Sequence, residues 1–355
     1  MTKRFKLSCL TLTLVYTSMG IAAATADAAG LSAAFNQPGN ILIADQFNNR
    51  VIEVTPQGEI IWSFGLGPND ISPRSVIGTN DAQRVGSLTL IAGTGAPPGT
   101  EKRCPHGCPD NRVLLVDSSG EIVWQYGRFR VTGSGPNELN TPVQNTFLPN
   151  GDVLITDQGN QRIIEVNPRH QIVWQYGTTG VSGIGPNQLN SPNSAELLAN
   201  GDILIADENN NRAIEVTRTH DIVATFTAGG TTSGVAFASR LPNGDTLITD
   251  SNNSRIVEVD TNDAVVLGGE YFTNTDAGSN SMPLPTRAIR LANGNTIISD
   301  QFNHRVIVVD MAKAIVASYG NLNSPGFGTS NTSQGLNAPY DAKVIGDYTG
   351  LTPPS

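Results

Sequence analysis

Histidine and cysteine are the side chains of this sequence best suited to metal binding or nucleophilic catalysis, and both are rare. The four histidines are scattered along the chain, at His106, His170, His220 and His304. Beyond the N-terminal segment the only cysteines are Cys104 and Cys108, which flank His106. Two thiols and one imidazole are too few ligands for a closed zinc site. Because a disulfide is the default for such a pair in an oxidising compartment, we predict that Cys104 bonds to Cys108.

Aspartate recurs at one position of a repeated phrase, at Asp45, Asp157, Asp207, Asp250 and Asp300. A ring of carboxylates could hold a cation. An aspartate at the end of a strand also accepts hydrogen bonds from the amides of the following turn. A binding site needs asymmetry, whereas a structural element repeats. We therefore interpret these aspartates as turn-forming residues.

The N-terminus predicts export. Lys3, Arg4 and Lys6 precede a mostly apolar stretch over residues 7–19, and small residues follow at 22–26. This order is typical of a secretory signal peptide, which we place at residues 1–26. The mature protein is therefore expected to be secreted or periplasmic.

Composition and charge narrow the classes of partner. The chain has a formal net charge of −9, with 37 glycines and 21 prolines. Such a composition favours a turn-rich all-β protein. Without a basic stripe, the sequence argues against nucleic acid as a partner. No later stretch is long and apolar enough for membrane insertion.

An internal repeat organises the rest of the sequence. Each copy has an apolar strand, an aspartate, an Asn-rich turn, an arginine and a second apolar strand. Five copies cover residues 40–55, 151–167, 201–217, 244–260 and 294–310. An insertion containing the cysteines splits a sixth copy, over residues 88–93 and 111–117. The arginines lie 43 to 62 residues apart, at Arg50, Arg112, Arg162, Arg212, Arg255 and Arg305.

This period is that of a propeller blade. We predict an all-β fold: a six-bladed β-propeller of four-stranded antiparallel blades over residues 27–355. One blade cannot bury both faces of its sheet, so the blades must stack around an axis and the ring must close. The expected blades cover approximately residues 31–66, 73–128, 140–178, 190–228, 233–270 and 284–321.

Blade one has two candidates for its innermost strand. Residues 338–347 are expected to close the ring, because Leu336-Asn337-Ala338-Pro339 repeats the phrases that open blades three and four. Residues 31–36 also look like a first strand. Either one of the two is displaced outward, or the ring contains a partial seventh blade.

The repeated phrase resembles the NHL-repeat family, over roughly residues 31–346. The resemblance implies a propeller but says little about activity. NHL-type propellers include peptidyl-hydroxyglycine amidating lyases, streptogramin B lyase-like proteins, and domains that only bind proteins or RNA. The phrase is also similar to repeats of exported arylsulfotransferases. Both the zinc site of the amidating lyases and the arylsulfotransferase nucleophile need channel histidines. Since no histidine here lies on a first strand, we expect neither.

Two further sets of residues recur and are interpreted as structural. We expect the repeat arginines to pair across adjacent blades with Glu53, Glu165, Glu215 and Glu258. Trp62, Trp124 and Trp174 occupy one position of the outermost strand. Packing of their large apolar surface is the expected role.

The candidate site is the mouth of the central channel, where loops from all blades converge. The first strands differ from blade to blade, as a ligand site requires. Their variable polar residues are the candidate ligand-binding residues: Arg74, Ser75, Gln144, Asn145, Asn193, Ser194, Glu196, Arg287, Arg290, Tyr340 and Asp341. The alternative is an ordinary water-filled polar channel.

Two functions follow from this site. The first is an exported, monomeric binding module for a protein, a peptide or a small molecule. The second is a metal-dependent lyase or hydrolase, with a divalent cation held in the channel by Asp341, Glu196 or loop carboxylates. The sequence identifies neither a catalytic residue nor a cofactor, so it does not decide between them.

Overall fold

The computed structural model of this chain describes residues 33–328, 335–349 and 351. Residues Leu31–Ser355 form one compact unit. The predicted signal peptide, residues 1–26, lies outside the described residues. Among the residues that are described, no helix has the length and apolar character needed to cross a membrane.

Strands dominate the described chain. In chain order they are β1 (Ile41–Asp45), β2 (Arg50–Val54), β3 (Ile60–Phe64), β4 (Thr79–Val85), β5 (Leu88–Ala96), β6 (Cys108–Val116), β7 (Ile122–Gly127), β8 (Pro142–Phe147), β9 (Val153–Asp157), β10 (Arg162–Val166), β11 (Ile172–Tyr176), β12 (Pro192–Leu197), β13 (Ile203–Asp207), β14 (Arg212–Val216), β15 (Ile222–Phe226), β16 (Val235–Arg240), β17 (Thr246–Asp250), β18 (Arg255–Val259), β19 (Val265–Phe272), β20 (Arg287–Arg290), β21 (Thr296–Asp300), β22 (Arg305–Val309), β23 (Ile315–Gly320) and β24 (Pro339–Val344). Short 3₁₀ turns follow five of them, at Gln46–Asn48, Gln158–Asn160, Glu208–Asn210, Ser251–Asn253 and Gln301–Asn303.

The strands form six four-stranded antiparallel sheets, which are the blades. From the axis outward, blade one contains β24, β1, β2 and β3, and blades two to six contain β4–β7, β8–β11, β12–β15, β16–β19 and β20–β23. The innermost strands contact one another in order, and β24 contacts both β20 and β4. The predicted six-bladed propeller, closed by a C-terminal strand, is confirmed.

The closing strand settles the uncertainty in blade one. Strand β24 pairs antiparallel with β1, with Ala342 opposite Ile43. Residues 33–36 form a turn, so the described part of segment 31–36 is not the expected first strand. Neither a strand displaced outward nor a partial seventh blade is needed.

The apolar core lies between the blades. Leu42 and Val51 of blade one, for example, cluster with Ile91 and Leu114 of blade two. The central strands of each sheet are buried on both faces, which explains their continuous apolar runs. Tight Asn-Gly turns join the two inner strands in blades three to six. Their glycines have φ between 86° and 95°, a conformation that favours glycine, at Gly151, Gly201, Gly244 and Gly294.

Each repeat aspartate holds a hairpin together. Asp207 Oδ2 accepts hydrogen bonds from Arg212 Nε and Asn210 Nδ2, both at 2.8 Å. Its Oδ1 accepts the backbone N–H of Asn190, which leads into the innermost strand, at 2.7 Å. Asp45, Asp157 and Asp250 make equivalent bonds. The structural role is as expected, but the expected bonds to the backbone amides of the following turn are not formed: the 3₁₀ turn after Asp207, for example, has no side-chain cap hydrogen bond.

Blade two replaces this aspartate with another. Gly93 occupies the usual position, and a Cβ there would lie 2.8 Å from the carboxyl carbon of Asp110. Asp110 lies on the neighbouring strand β6 and bonds to Arg112 and to the N–H of Ile77, the latter at 2.7 Å. A carboxylate therefore lies at the same place in this blade, although it comes from a different position of the sequence.

The expected pairing of repeat arginines with glutamates across blades is wrong. The repeat arginines pair within their own blade, as Arg50 does with Asp45 at 2.7 Å. The glutamates do bridge blades, but three of them use arginines at the ends of the next innermost strands: Glu53–Arg84, Glu215–Arg240 and Glu258–Arg290. In five blades the strand pairing places the repeat arginine opposite its own aspartate, as for Asp45 and Arg50. In blade two, Arg112 pairs with Asp110 of its own strand.

Replacing Asp207 by alanine should lower the free energy of unfolding by about 3–5 kcal/mol, because Arg212 would be left buried without its carboxylate. Asp221→Ala is the matched control, since Asp221 is exposed on the same blade. Urea unfolding of both variants measures the difference. Equal losses of stability would contradict the role assigned to the repeat aspartates.

Candidate functional site at the propeller axis

Four charged side chains meet at the axis. Lys343 Nζ on β24 lies 2.5 Å from Asp341 Oδ2 on the same strand and 2.7 Å from Asp81 Oδ1 on β4. Arg287 on β20 approaches from blade six, 3.7 Å from Asp341 Oδ1 and 3.8 Å from Asp81 Oδ1. Both separations exceed hydrogen-bond distance, so Arg287 faces the two carboxylates as a charge without a direct hydrogen bond from Nε or Nη2. We call these four residues the axial tetrad.

The axial tetrad is neutral and buried. Two carboxylates balance one ammonium and one guanidinium, and every side chain is at most 8% exposed. Burial, with the nearby charge of Asp341, raises the pKa of Asp81 to about 6, although Lys343 and Arg287 act in the opposite direction. Burial alone would lower the pKa of Lys343, but Asp341 and Asp81 outweigh it and raise that pKa.

Aromatic rings support the guanidinium of Arg287. Its central carbon lies 4.7 Å from the ring centroid of Phe237 and 5.8 Å from that of Tyr340. Such stacking stabilises a desolvated arginine. The side chain is thereby fixed in place by three blades.

Amide side chains complete the axis. Asn145 Nδ2 of blade three donates to Asp81 Oδ2 at 2.7 Å. Asn193 Nδ2 of blade four donates to the hydroxyl of Tyr340 of blade one at 2.9 Å. Because blades one and four are opposite in a six-membered ring, this hydrogen bond crosses the axis. The channel is therefore filled by side chains at this level.

The structure brings most of the expected site residues together. Gln144, Asn145, Asn193, Glu196, Arg287, Tyr340 and Asp341 lie on innermost strands and are buried. Gln144 Nε2 donates to Glu196 Oε1 at 2.6 Å. Ser194 lies on β12 and is buried as well. These side chains bind one another, so they line a filled axis and not an open funnel.

Three expected residues lie elsewhere. Arg74 and Ser75 precede β4 in a loop, with Arg74 exposed. Ser75 Oγ accepts the N–H of Leu66 at 2.9 Å. Arg290 ends β20 and pairs with Glu258 between blades five and six, at 2.9 Å. Arg74 and Ser75 were placed on an axial strand because the start of blade two lacks the repeated opening phrase. Arg290 lies on an innermost strand as expected, but its side chain pairs with Glu258 of the neighbouring blade.

Sequence reasoning missed Asp81, Lys343 and the turn residues that surround the mouth. The first residue of each 3₁₀ turn follows the repeat aspartate directly: Gln46, Gln158, Glu208, Ser251 and Gln301. Gln301 Nε2 donates to Gln46 Oε1, and Gln46 Nε2 donates to Asn80 Oδ1, both at 2.8 Å. The signal was present, since Gln or Glu directly follows the repeat aspartate in four of the five copies that carry one.

A cleft of about 460 Å³ opens beside this mouth, at blades two and three. Its walls include backbone and side chains of the blade-two insertion, which the predicted Cys104–Cys108 disulfide closes with a Cα–Cα distance of 5.6 Å. Its lining contains no Asp, Glu, Lys or Arg. It mixes apolar residues such as Ala96, Pro97 and Pro109 with the polar residues Gln46, Asn80, His106, Asn140, Thr141 and Gln158. Burial raises the pKa of Glu208, which accepts hydrogen bonds from Asn193 and Gln158 at the adjoining mouth.

The histidines occupy turns. His170 and His220 pack edge-on against Trp124 and Trp174 of the preceding blades, with ring centroids 5.5 and 5.9 Å apart. His304 Nδ1 accepts the N–H of Ala338 at 3.0 Å. Within residues 33–328, 335–349 and 351, no three His, Cys, Asp or Glu side chains form a group that could hold a metal ion.

Lys343→Met should lower the free energy of unfolding by about 3–5 kcal/mol, because two buried carboxylates would share one guanidinium. The double variant Asp341→Asn/Lys343→Met keeps the axis neutral and should recover part of that loss. Chemical unfolding of the two variants measures the coupling. A double variant less stable than Lys343→Met would contradict charge balance as the reason.

The stability of the axial tetrad should depend on pH with a defined sign. Since the folded-state pKa of Asp81 is raised from 3.8 to about 6, the stabilising proton is fully bound below pH 4 and lost as the pH rises through 6. Between pH 4 and pH 7, the free energy of unfolding of the native protein should therefore fall by on the order of 2 kcal/mol more than that of Asp81→Asn. Unfolding curves from pH 4 to 7 test this, and parallel profiles of the two proteins would contradict it.

Comparison with known proteins supports the fold. No protein-family model matches this chain, and no curated protein matches it. A protein of unknown function from Bacteroides caccae superposes with a TM-score of 0.57 at 14% identity, covering 79% of this chain and 93% of that one. A streptogramin B lyase gives 0.53 at 14% identity, with coverages of 81% and 80%.

A third solved structure is a catalytically inactive variant of virginiamycin B lyase from Staphylococcus aureus with quinupristin. It superposes with a TM-score of 0.51 at 14% identity, covering 80% of this chain and 85% of that one. At this identity the likeness shows shared architecture alone. The NHL-repeat resemblance stays a prediction, and the chain is shown to be a six-bladed β-propeller.

Proposed function

We propose that this protein is an exported binding module whose ligand contacts the mouth of the propeller and the adjoining cleft. The observation that carries the proposal is the contrast between the two regions. Below the mouth, the positive and negative charges of the axial tetrad balance one another. The cleft of about 460 Å³, in contrast, has polar groups around open space. A concave site with convergent polar groups on a rigid scaffold is the usual place for a ligand.

The lining indicates the chemistry of the ligand. Amides and hydroxyls both donate and accept hydrogen bonds, and the cleft offers them from Gln158, Asn140 and Thr141. These side chains are partly engaged already, since Thr141 Oγ1 donates to Asn140 Oδ1 at 3.2 Å and Gln158 Nε2 donates to Glu208 Oε2 at 3.3 Å. A peptide segment or a small molecule with uncharged polar groups fits this surface.

The alternative of a channel-bound divalent cation receives no support from the residues expected to hold it. Asp341 is engaged by Lys343 and also accepts the N–H of Ala82 at 3.2 Å. Glu196 accepts from Gln144. Ligation would require either carboxylate to break these buried bonds, which is costly.

Export is supported by the N-terminal pattern and by the disulfide. A Cys104–Cys108 bond persists in an oxidising compartment and is rare in the cytosol. Secretion or transfer to the periplasm accounts for both features. The net charge of −9 favours partners other than nucleic acid.

Filling the cleft should weaken ligand binding. Arrays of peptides and oligosaccharides, probed with the native protein, identify a ligand, and His106→Trp should weaken its affinity about tenfold or more by placing a large ring over the cleft. His106 is exposed, so the fold should be unaffected. Lys102→Trp is the matched control, because Lys102 is exposed on the same insertion outside the cleft lining. Equal affinity in both variants would overturn the proposed site.

A further inference from the structure

The exposed cationic side chains are concentrated in one part of the molecule. Among the described residues, the exposed arginines and lysines outside blade two are Arg169, Arg218 and Lys313. Five more lie in blade two and the loops on either side of it: Arg74, Lys102, Arg103, Arg128 and Arg130. Because the whole chain has a formal net charge of −9, this surface differs in sign from the protein as a whole.

Four of these five cations have no carboxylate partner. Arg128 forms an ion pair with Glu138. No ion pair within residues 33–328, 335–349 and 351 involves the other four: Arg74, Lys102, Arg103 and Arg130. We call these four residues the cation patch.

Asp70 links two members of the cation patch. Burial acts to raise the pKa of Asp70, but hydrogen bonds from Ser72 and the nearby charges of Arg74 and Arg103 lower it. Both cations therefore lie close to the same carboxylate. One aspartate balances only one of the four positive charges, so the surface keeps a local excess of positive charge.

The disulfide links the other members. Arg130 Nη2 lies 3.2 Å from Cys108 Sγ and 3.5 Å from Cys104 Sγ. Lys102 and Arg103 directly precede Cys104 in the sequence. The cation patch is therefore one continuous surface that runs from the loop before β4, across the disulfide-closed insertion, to the linker after β7.

The insertion turns its acidic side chain inward and its cations outward. Glu101 is 7% exposed. Its Oε1 accepts the N–H of Arg103 at 3.0 Å, and its Oε2 accepts from Asn49 Nδ2 of blade one at 3.5 Å. The two cysteines pack in an apolar cluster with Ile77. The insertion is thus fixed against the blades, and Lys102 and Arg103 are free to meet a partner.

Apolar surface accompanies the positive charge. Leu66 is 60% exposed, and its N–H donates to Oγ of Ser75, the residue after Arg74, at 2.9 Å. The guanidinium carbon of Arg130 lies 5.5 Å from the ring centroid of Phe129, which is half-buried. Arginine beside accessible apolar and aromatic side chains is typical of surfaces that bind another polypeptide.

The size of the partner's anionic part is limited by the rest of the protein. Exposed charges act over about 10 Å at 0.1 M salt. A bilayer or a nucleic acid extends much further, so it would also meet the carboxylates that make the chain acidic. A short acidic segment meets the cation patch alone. Guanidinium groups pair with carboxylates through two parallel hydrogen bonds, and a peptide, unlike a saccharide, also brings apolar side chains to Leu66.

We propose that the cation patch docks an acidic segment of a partner polypeptide, in which Asp or Glu residues alternate with apolar residues. The carboxylates would pair with Arg74, Arg103 and Arg130, and an apolar side chain would contact Leu66. The four cations do not line the cleft beside the mouth. The inference therefore goes beyond the ligand proposed for that cleft and can fail or succeed independently of it.

Fluorescence anisotropy with labelled acetyl-Glu-Leu-Glu-Glu-Leu-Glu-amide tests the proposal at about 50 mM salt, where screening is weak. The acidic peptide should bind, and the peptide with glutamine in place of each glutamate should not. Tetragalacturonate, which carries four carboxylates and no apolar side chain, should displace the labelled peptide less well than the unlabelled peptide does. Vesicles of phosphatidylglycerol should not sediment the protein.

A charge-matched pair of variants locates the contact. Lys102→Gln/Arg103→Gln should weaken binding of the acidic peptide about fivefold or more. Arg169→Gln/Lys313→Gln is the matched control, because it removes the same two charges from exposed positions on blades three and six that form no ion pair with described residues. All four side chains are exposed, so both variants should fold.

Equal affinities of the two double variants would overturn the proposal, since the net charge alone would then govern binding. It would also be overturned if the glutamine peptide bound as tightly as the acidic one. Stronger displacement by tetragalacturonate, or sedimentation with the vesicles, would assign the cation patch to a saccharide or a lipid surface instead.

Discussion

Closure of the ring is the constraint on which this structure depends. The apolar clusters lie between neighbouring blades, so an unclosed array would expose one face of blade one and one of blade six. Pairing of β24 with β1 removes that seam. The same strand carries Tyr340, Asp341 and Lys343 to the axis. Strand β24 thus both closes the ring and completes the charge balance at the axis.

The aspartate and the arginine recur together because each hairpin buries the arginine. A repeat arginine is buried near the blade edge and needs a carboxylate, since an unpaired buried guanidinium is costly. In blade two, Gly93 occupies the position where the aspartate is expected, and Asp110 supplies the carboxylate from the next strand. The arginine therefore needs a nearby carboxylate, but not one from a fixed position of the sequence. A search for the motif alone finds a broken copy there, whereas the physical interaction is intact.

The architecture was predictable because it is periodic. Strand alternation, turn glycines and a regular arginine fix the blades, and each copy reinforces the others. The axis was only partly predictable. Its polar residues could be recognised on the first strands, but Asp81 lies in β4, whose sequence lacks the repeated phrase. Its partner Lys343 is 262 residues away, and no local pattern states which charges from six separate strands will neutralise one another.

Departures from the repeat are the best guide to recognition in this protein. Positions that repeat are satisfied within the fold, as the paired aspartates and arginines show. At the axis, a charged ligand would have to displace buried ion pairs of a neutral tetrad, which is costly. What stays open is a place where one blade differs from the rest, the disulfide-closed insertion of blade two. A rigid repeating scaffold gains specificity where its repetition fails, since only there are hydrogen-bonding groups and apolar surface left for a partner.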